Sequence, residues 1–212
     1  MAKDPPGTLQ VGLSDAAPYG YKEGEQFKGI NYDIFTQIEK ESGLRFNYTM
    51  YPHARLANSM EKTDSDLAIF FSVSCVKHAA YEFKEKLYEV KTGLYLKDQN
   101  ALKRPGARIG VLLGTCTRLV KTHLTPDMVV ELTSMDHAIE MLRVGRLEGV
   151  CGIKNVIDFS IQKNKAFHEK LVPAHIDDQP LEAVLCRRKS LSADIKGKID
   201  KALQKIKVPS VK

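Results

Sequence analysis

Leu9–Ser42, LQVGLSDAAPYGYKEGEQFKGINYDIFTQIEKES, is the stretch from which the fold is read. Leu9, Val11 and Leu13 alternate with their neighbours at the period of a half-buried strand. SDAAPYGY then breaks the alternation with turn formers, and Tyr19 and Tyr21 within it are expected to stand exposed as an aromatic lip at the strand's end. After the polar hairpin KEGEQFKG, residues Asn31 to Ser42 put Ile34, Phe35 and Ile38 on one helical face. Asn31 is the expected N-cap, Asp33 lies in the first turn, and Gly43 is the stop.

Outward from this start, Arg45–Tyr51 reads as a second strand and Asp66–Phe71 as a compact apolar third. PHARLANSMEKTDSD between them reads as a helix with Pro52 in its first turn. This alternation calls for a parallel sheet with crossover helices. Ser72 to Lys77 follow the third strand as a polar loop at the carboxyl end of the sheet, the side where open α/β sheets bind ligands. Tyr81–Tyr95 reads as one long extended segment leaving the first lobe, with the interlobe crossing just before the breaker-rich DQNALKRPG.

A second α/β unit begins at Arg108. It runs through strand Ile109–Leu113, the turn Gly114–Thr115, a short helix Cys116–His123, strand Met128–Leu132, a helix capped by Ser134 and strand Gly149–Ile153. HAIEMLRVGRLEGVCGI repeats RLANSMEKTDSDLAIFF in outline, so each half carries one copy of helix, turn, acid, strand. Leu181–Arg187 is a last apolar strand, and Ser190 or Ser192 caps a final helix containing Leu191, Ile195, Ile199, Leu203 and Ile206. Two lobes of like architecture are expected, residues 1–95 with 183–212 and residues 96–182, with a ligand in the crevice between them.

Composition narrows the function. With 212 residues, 43% of them hydrophobic, the chain can bury a full core. No run approaches the ~18 apolar residues of a membrane span, and MAKDPPG has no apolar segment of a signal peptide, so the expected start is one from which a signal has been removed. The formal net charge of +6 gathers between Arg187 and Lys207. No aromatics interleave with that basic stripe and no groove-reading motif accompanies it, which argues against nucleic acid. The four cysteines, Cys75, Cys116, Cys151 and Cys186, lack metal spacing, and free buried thiols are the expected state, although an even number permits disulfides. No G-x-S-x-G elbow, P-loop or dinucleotide fingerprint is present, and no histidines pair at helical zinc spacing. No cofactor or metal is expected.

Strand, PYGY, acidic-glycine hairpin and KGINYDIFTQI together resemble the opening of the family 3 periplasmic solute-binding proteins. The resemblance implies an α/β, two-lobed periplasmic-binding-protein-like fold of type II, a Venus flytrap with two hinge crossings. It implies that Tyr19 packs on the ligand and that Gly114 and Thr115, leading through Cys116 and Thr117 into a helix N-terminus, hold a ligand carboxylate. The family's T-P-E-R run after the third strand aligns with Ser74, Cys75, Val76 and Lys77. Lysine there holds an anion as a point charge and lacks arginine's two-pronged geometry, so Lys77 is either an anion contact or an exposed lysine beside the cleft. The family's amine-receiving aspartate aligns with Ile153, next to Lys154, where no carboxylate stands. An α-ammonium placed there would be unpaired, which argues against a standard amino-acid ligand. His53 and Arg55 lie where the second helix begins, and Arg55 is the candidate fork for a carboxylate or phosphate.

The ligand-contact set read from the sequence is therefore Tyr19, His53, Arg55, Ser72, Ser74, Lys77, Gly114, Thr115, Cys116, Thr117 and Lys154, with no catalytic residue. The resemblance implies a monomeric periplasmic protein that closes on a small anionic or zwitterionic solute and delivers it to an ABC importer. A periplasmic ligand-sensing domain of a membrane receptor is the first alternative. A cyclohexadienyl-dehydratase-like enzyme is the second, with Asp15 and Glu182 as its nearest candidate acids.

Overall fold

A computed structural model describes residues 7–58, 65–71, 79–177 and 180–208. The chain divides into two units, residues 1–89 with 182–212, and residues 90–181. It passes from the first to the second once and returns once.

In the first unit, strands β1 (Thr8–Asp15), β4 (Arg45–Pro52), β5 (Leu67–Phe71), β6 (Tyr81–Val90) and β12 (Leu181–Arg188) form a sheet in the order β4-β1-β5-β12-β6. β1 runs parallel to β4 and β5, and β12 is antiparallel to β5. Helix α1 (Ile30–Ser42) buries Asn31, Ile34, Phe35 and Ile38 and ends at Gly43, whose left-handed φ of 69° turns the chain out of the helix. The short hairpin of β2 (Tyr21–Glu23) and β3 (Gln26–Lys28) precedes it. Helix α6 (Ala193–Leu203), capped by Ser192 through the Ile195 N–H, packs against α1. α2 (His53–Asn58) opens directly after β4, so Pro52 closes the strand and does not head the helix. Residues 59–64 of that expected helix lie outside the described residues, and Ser65 and Asp66 at its expected end are not helical.

The second unit repeats the plan. Strands β7 (Thr92–Leu96), β8 (Ile109–Leu112), β9 (Val129–Leu132), β10 (Gly149–Ile153) and β11 (Val172–Ile176) lie in the order β11-β7-β10-β8-β9. β8 is parallel to β9 and β10, while β7 is antiparallel to β10 and β11. β9-β8-β10 therefore matches β4-β1-β5 in order and sense, which is the internal similarity expected from the sequence. Helices α3 (Thr117–His123), α4 (Met135–Arg143) and α5 (Lys154–Lys163) complete it. Ser134 caps α4 through the His137 N–H.

Three expectations change. Tyr81–Tyr95 is two strands in two different sheets, and the crossings fall at 89/90 and 181/182. The reason is composition: TGLYL of β7 is buried throughout and pairs on both sides, whereas β6 alternates with exposed charges and lies at a sheet edge. The cap of α1 is Gly29, at φ 112°, and not Asn31, which lies one turn-position inside the helix and is buried. Among the described residues the cysteines are not free thiols. Cys116 is bonded to Cys151, and Cys186 is also disulfide-bonded. Each sits in an apolar cluster, Cys116 and Cys151 with Leu94, Ile109 and Leu119, and Cys186 with Leu56, Phe70 and Val184. Burial that reads in the sequence as a thiol's is the burial of a cross-link, because only the tertiary fold brings residues 35 apart within bonding reach.

Candidate functional site

At the carboxyl ends of β1, β4 and β5, the PYGY segment folds back on its own strand. Ala16 and Gly20 bridge each other, and Gly20 lies so close to the Ser14 carbonyl that a Cβ there would sit 2.4 Å from its oxygen. The first N–H groups of α1 are then consumed locally, Ile30 donating to the Pro18 carbonyl and Asn31 to that of Tyr19. This stitching corrects the reading of Tyr19 as an exposed lip. Tyr19 is 0% exposed, set edge-on to Phe71 and stacked on Tyr88. Its buried hydroxyl has no hydrogen-bond partner among the described residues, and desolvation pushes the phenol's pKa well above the ordinary range. The neighbouring Tyr88 hydroxyl instead donates to Asn31 Oδ1.

His53 is also an interior residue. It is 5% exposed, with Nδ1 2.9 Å from Ser14 Oγ and its ring against Phe71. Desolvation lowers its pKa from 6.5 to about 4, so the imidazole is neutral at pH 7 and offers no cation to an anionic ligand. Two residues on, Arg55 is exposed and has no ion-pair partner among the described residues. Ser72, Ser74 and Lys77 lie outside the described residues.

In the second unit, β8 ends in a turn through Gly114, at φ 84°, into α3. Thr115 is buried, and Leu112 O accepts from both its N–H and its hydroxyl, at 3.0 and 2.7 Å. Its polar groups therefore shape the turn. Gly114 and Thr117 are exposed, and Cys116 is anchored to β10 by its disulfide. Ile153, where the resemblance places a carboxylate, is 0% exposed, and Lys154 follows as the exposed first residue of α5. The Lys154 ammonium pairs with Asp158 one turn on.

Sequence reading missed a strong ion pair here. Arg118, in the first turn of α3, donates through Nε and Nη2 to the two carboxylate oxygens of Asp177, whose side chain is 8% exposed. An arginine beside the glycine turn is visible in the sequence, but nothing local reveals a carboxylate 59 positions away. His123 and His175 stack face to face at 3.6 Å between centroids, a second tie between α3 and β11. Among the described residues no three His, Cys, Asp or Glu side chains gather as a metal site, and no helix is long and apolar enough to cross a membrane.

The sequence model of the bacterial extracellular solute-binding proteins, family 3, matches residues 9–209. No curated protein sequence matches the chain. Among solved structures, an ancestral arginine-binding protein bound to arginine is similar at TM-score 0.75 and 20% identity, with 93% of this chain and 91% of that one covered. ArtJ of Geobacillus stearothermophilus, an arginine-, lysine-, histidine-binding protein, is similar at TM-score 0.73 and 20% identity, covering 93% and 88%. The periplasmic VFT2 domain of Bordetella pertussis BvgS is similar at TM-score 0.70 and 20% identity, covering 94% and 88%. At these identities the likeness carries the fold.

Proposed function

Because the chain belongs to the bacterial extracellular solute-binding proteins, family 3, we propose that it binds a small anionic or zwitterionic solute and presents the loaded form to an ABC importer. The observation that carries this is Arg55, an exposed guanidinium without an ion-pair partner among the described residues, at the carboxyl end of β4. A planar fork left open at a strand end is suited to a carboxylate. In the second unit, Gly114, Thr117 and Lys154 are the exposed members of the proposed set, and Thr115 and Cys116 build the turn beneath them. Ser72, Ser74 and Lys77 stay in the proposal on the resemblance alone.

Disulfides at Cys116–Cys151 and at Cys186 support an oxidising, extracytoplasmic setting. The likeness to the BvgS periplasmic domain supports a second reading, a receptor's ligand-sensing domain, in which the loaded form is read by a signalling module. The ancestral protein and ArtJ are binding proteins, and the family is one of solute binding, which supports a non-enzymatic role.

A thermal-shift screen tests the reading. Ligand at 100 times its Kd stabilises by about 2.7 kcal/mol. Anionic and zwitterionic metabolites, dicarboxylates among them, are expected to raise the melting temperature. Shifts with neutral sugars alone would overturn the proposal. Formation of an aromatic product from prephenate would replace it with the dehydratase reading.

A further inference from the structure

Cys116 immediately precedes α3 and takes φ 57°, the one left-handed residue other than glycine among the described residues. A residue with a Cβ is disfavoured there, because the Cβ crowds the following carbonyl. Side-chain capping does not compensate, since Cys116 makes no capping bond to α3. Ser134 and Ser192, by contrast, cap α4 and α6 from extended backbone, as good N-caps do. Neither backbone preference nor capping therefore accounts for the left-handed φ of Cys116, and the Thr115 bonds to the Leu112 carbonyl fix only the residue before it.

The covalent bond to Cys151 is a constraint of another kind on Cys116. Cys151 lies in the middle of β10, the central strand of its sheet, in register with Leu94 on β7 and Val111 on β8, and is 0% exposed. The pairing that holds β10 does not involve Cys116. We propose that Cys151 is a positioning residue for the Gly114–Thr117 turn: through the disulfide it imposes the left-handed conformation on Cys116 and so sets how α3 begins. Both cysteines are buried, Cys116 at 3%, so the bond acts as a permanent lock on the folded unit and not as a switch open to small thiols in solution. The consequence for solute binding rests on the function proposed above, but the conformational claim does not.

The experiment compares the full chain with two double variants that both lack the bond, Cys116→Ser with Cys151→Ser and Cys116→Gly with Cys151→Ser. Glycine reaches positive φ freely and serine does not, so a bond that works by imposing φ is replaceable by glycine. Amide hydrogen exchange is read at Val120, whose N–H donates to the Cys116 carbonyl and closes the first turn of α3, with α4 as internal reference. The serine pair is expected to exchange there about tenfold faster than the native chain, the scale of the left-handed penalty. The glycine pair is expected within about threefold of native.

A serine pair as protected as the native chain overturns the proposal. So does a glycine pair as fast as the serine pair, which would mean that the bond acts through chain entropy alone. If the serine pair does not fold, a folded glycine pair with native protection supports the proposal, and failure of both to fold overturns it. Glycine rescue in a protein that binds nothing in the charged-metabolite panel would leave this positioning role standing and remove the solute-binding reading.

Discussion

Tyr19→Phe is expected to stabilise the protein. The ring is fully buried between Phe71 and Tyr88, and those contacts survive the substitution. Only the hydroxyl is removed, and it is buried with no partner among the described residues, so the native chain bears its desolvation cost of about 1–3 kcal/mol with no hydrogen bond in return. The void left by one oxygen takes back roughly 0.3 kcal/mol. A net gain of about 1 kcal/mol follows, which for a chain of this size is a rise of about 2–4 °C in melting temperature. Scanning calorimetry reads the temperature, and urea unfolding followed by far-UV circular dichroism reads the free energy, with an unchanged slope showing that the denatured state is not altered. A loss of about 1 kcal/mol or more would refute the reasoning, since it would mean that the hydroxyl has a partner which the packing does not reveal.

Other perturbations follow from the same geometry. His53 is neutral when folded, with a pKa of about 4 against 6.5 when free. The unfolded chain therefore binds more protons between those values, and stability falls as pH drops through that window, by up to about 3 kcal/mol from this group. Urea titrations between pH 7 and pH 4 should show this slope, and His53→Gln should flatten it. Asn31→Ala leaves the buried Tyr88 hydroxyl without its acceptor and is expected to cost about 1–3 kcal/mol by the same urea assay, more than Tyr88→Phe. Arg55→Ala should weaken an anionic solute by more than about 1 kcal/mol in calorimetry with little change in melting temperature, because the side chain is exposed and holds nothing else among the described residues. Unchanged affinity would remove it from the site.

The α/β class, the repeat of helix and strand in each half, and most strand positions were legible in the sequence, because hydrophobic period and turn chemistry are local properties that the chain states residue by residue. Val11 and Leu13 are core residues for the reason their alternation suggests, and Ser134 and Ser192 cap the helices they precede. What needs two distant segments at once was decided by the tertiary structure. Tyr19 looks like a lip in the sequence and becomes core once the α1 N–H groups bond to the Pro18 and Tyr19 carbonyls. Cys116 and Cys151 look like two unrelated thiols until the β8–β10 register brings them together. Arg118 meets Asp177 only because β11 returns beside β7 and pins Asp177 through its N–H to the Thr92 carbonyl. Periodicity assigns a residue to a face of its own element, whereas partners across elements are set by register and closure, which no single stretch of the chain encodes.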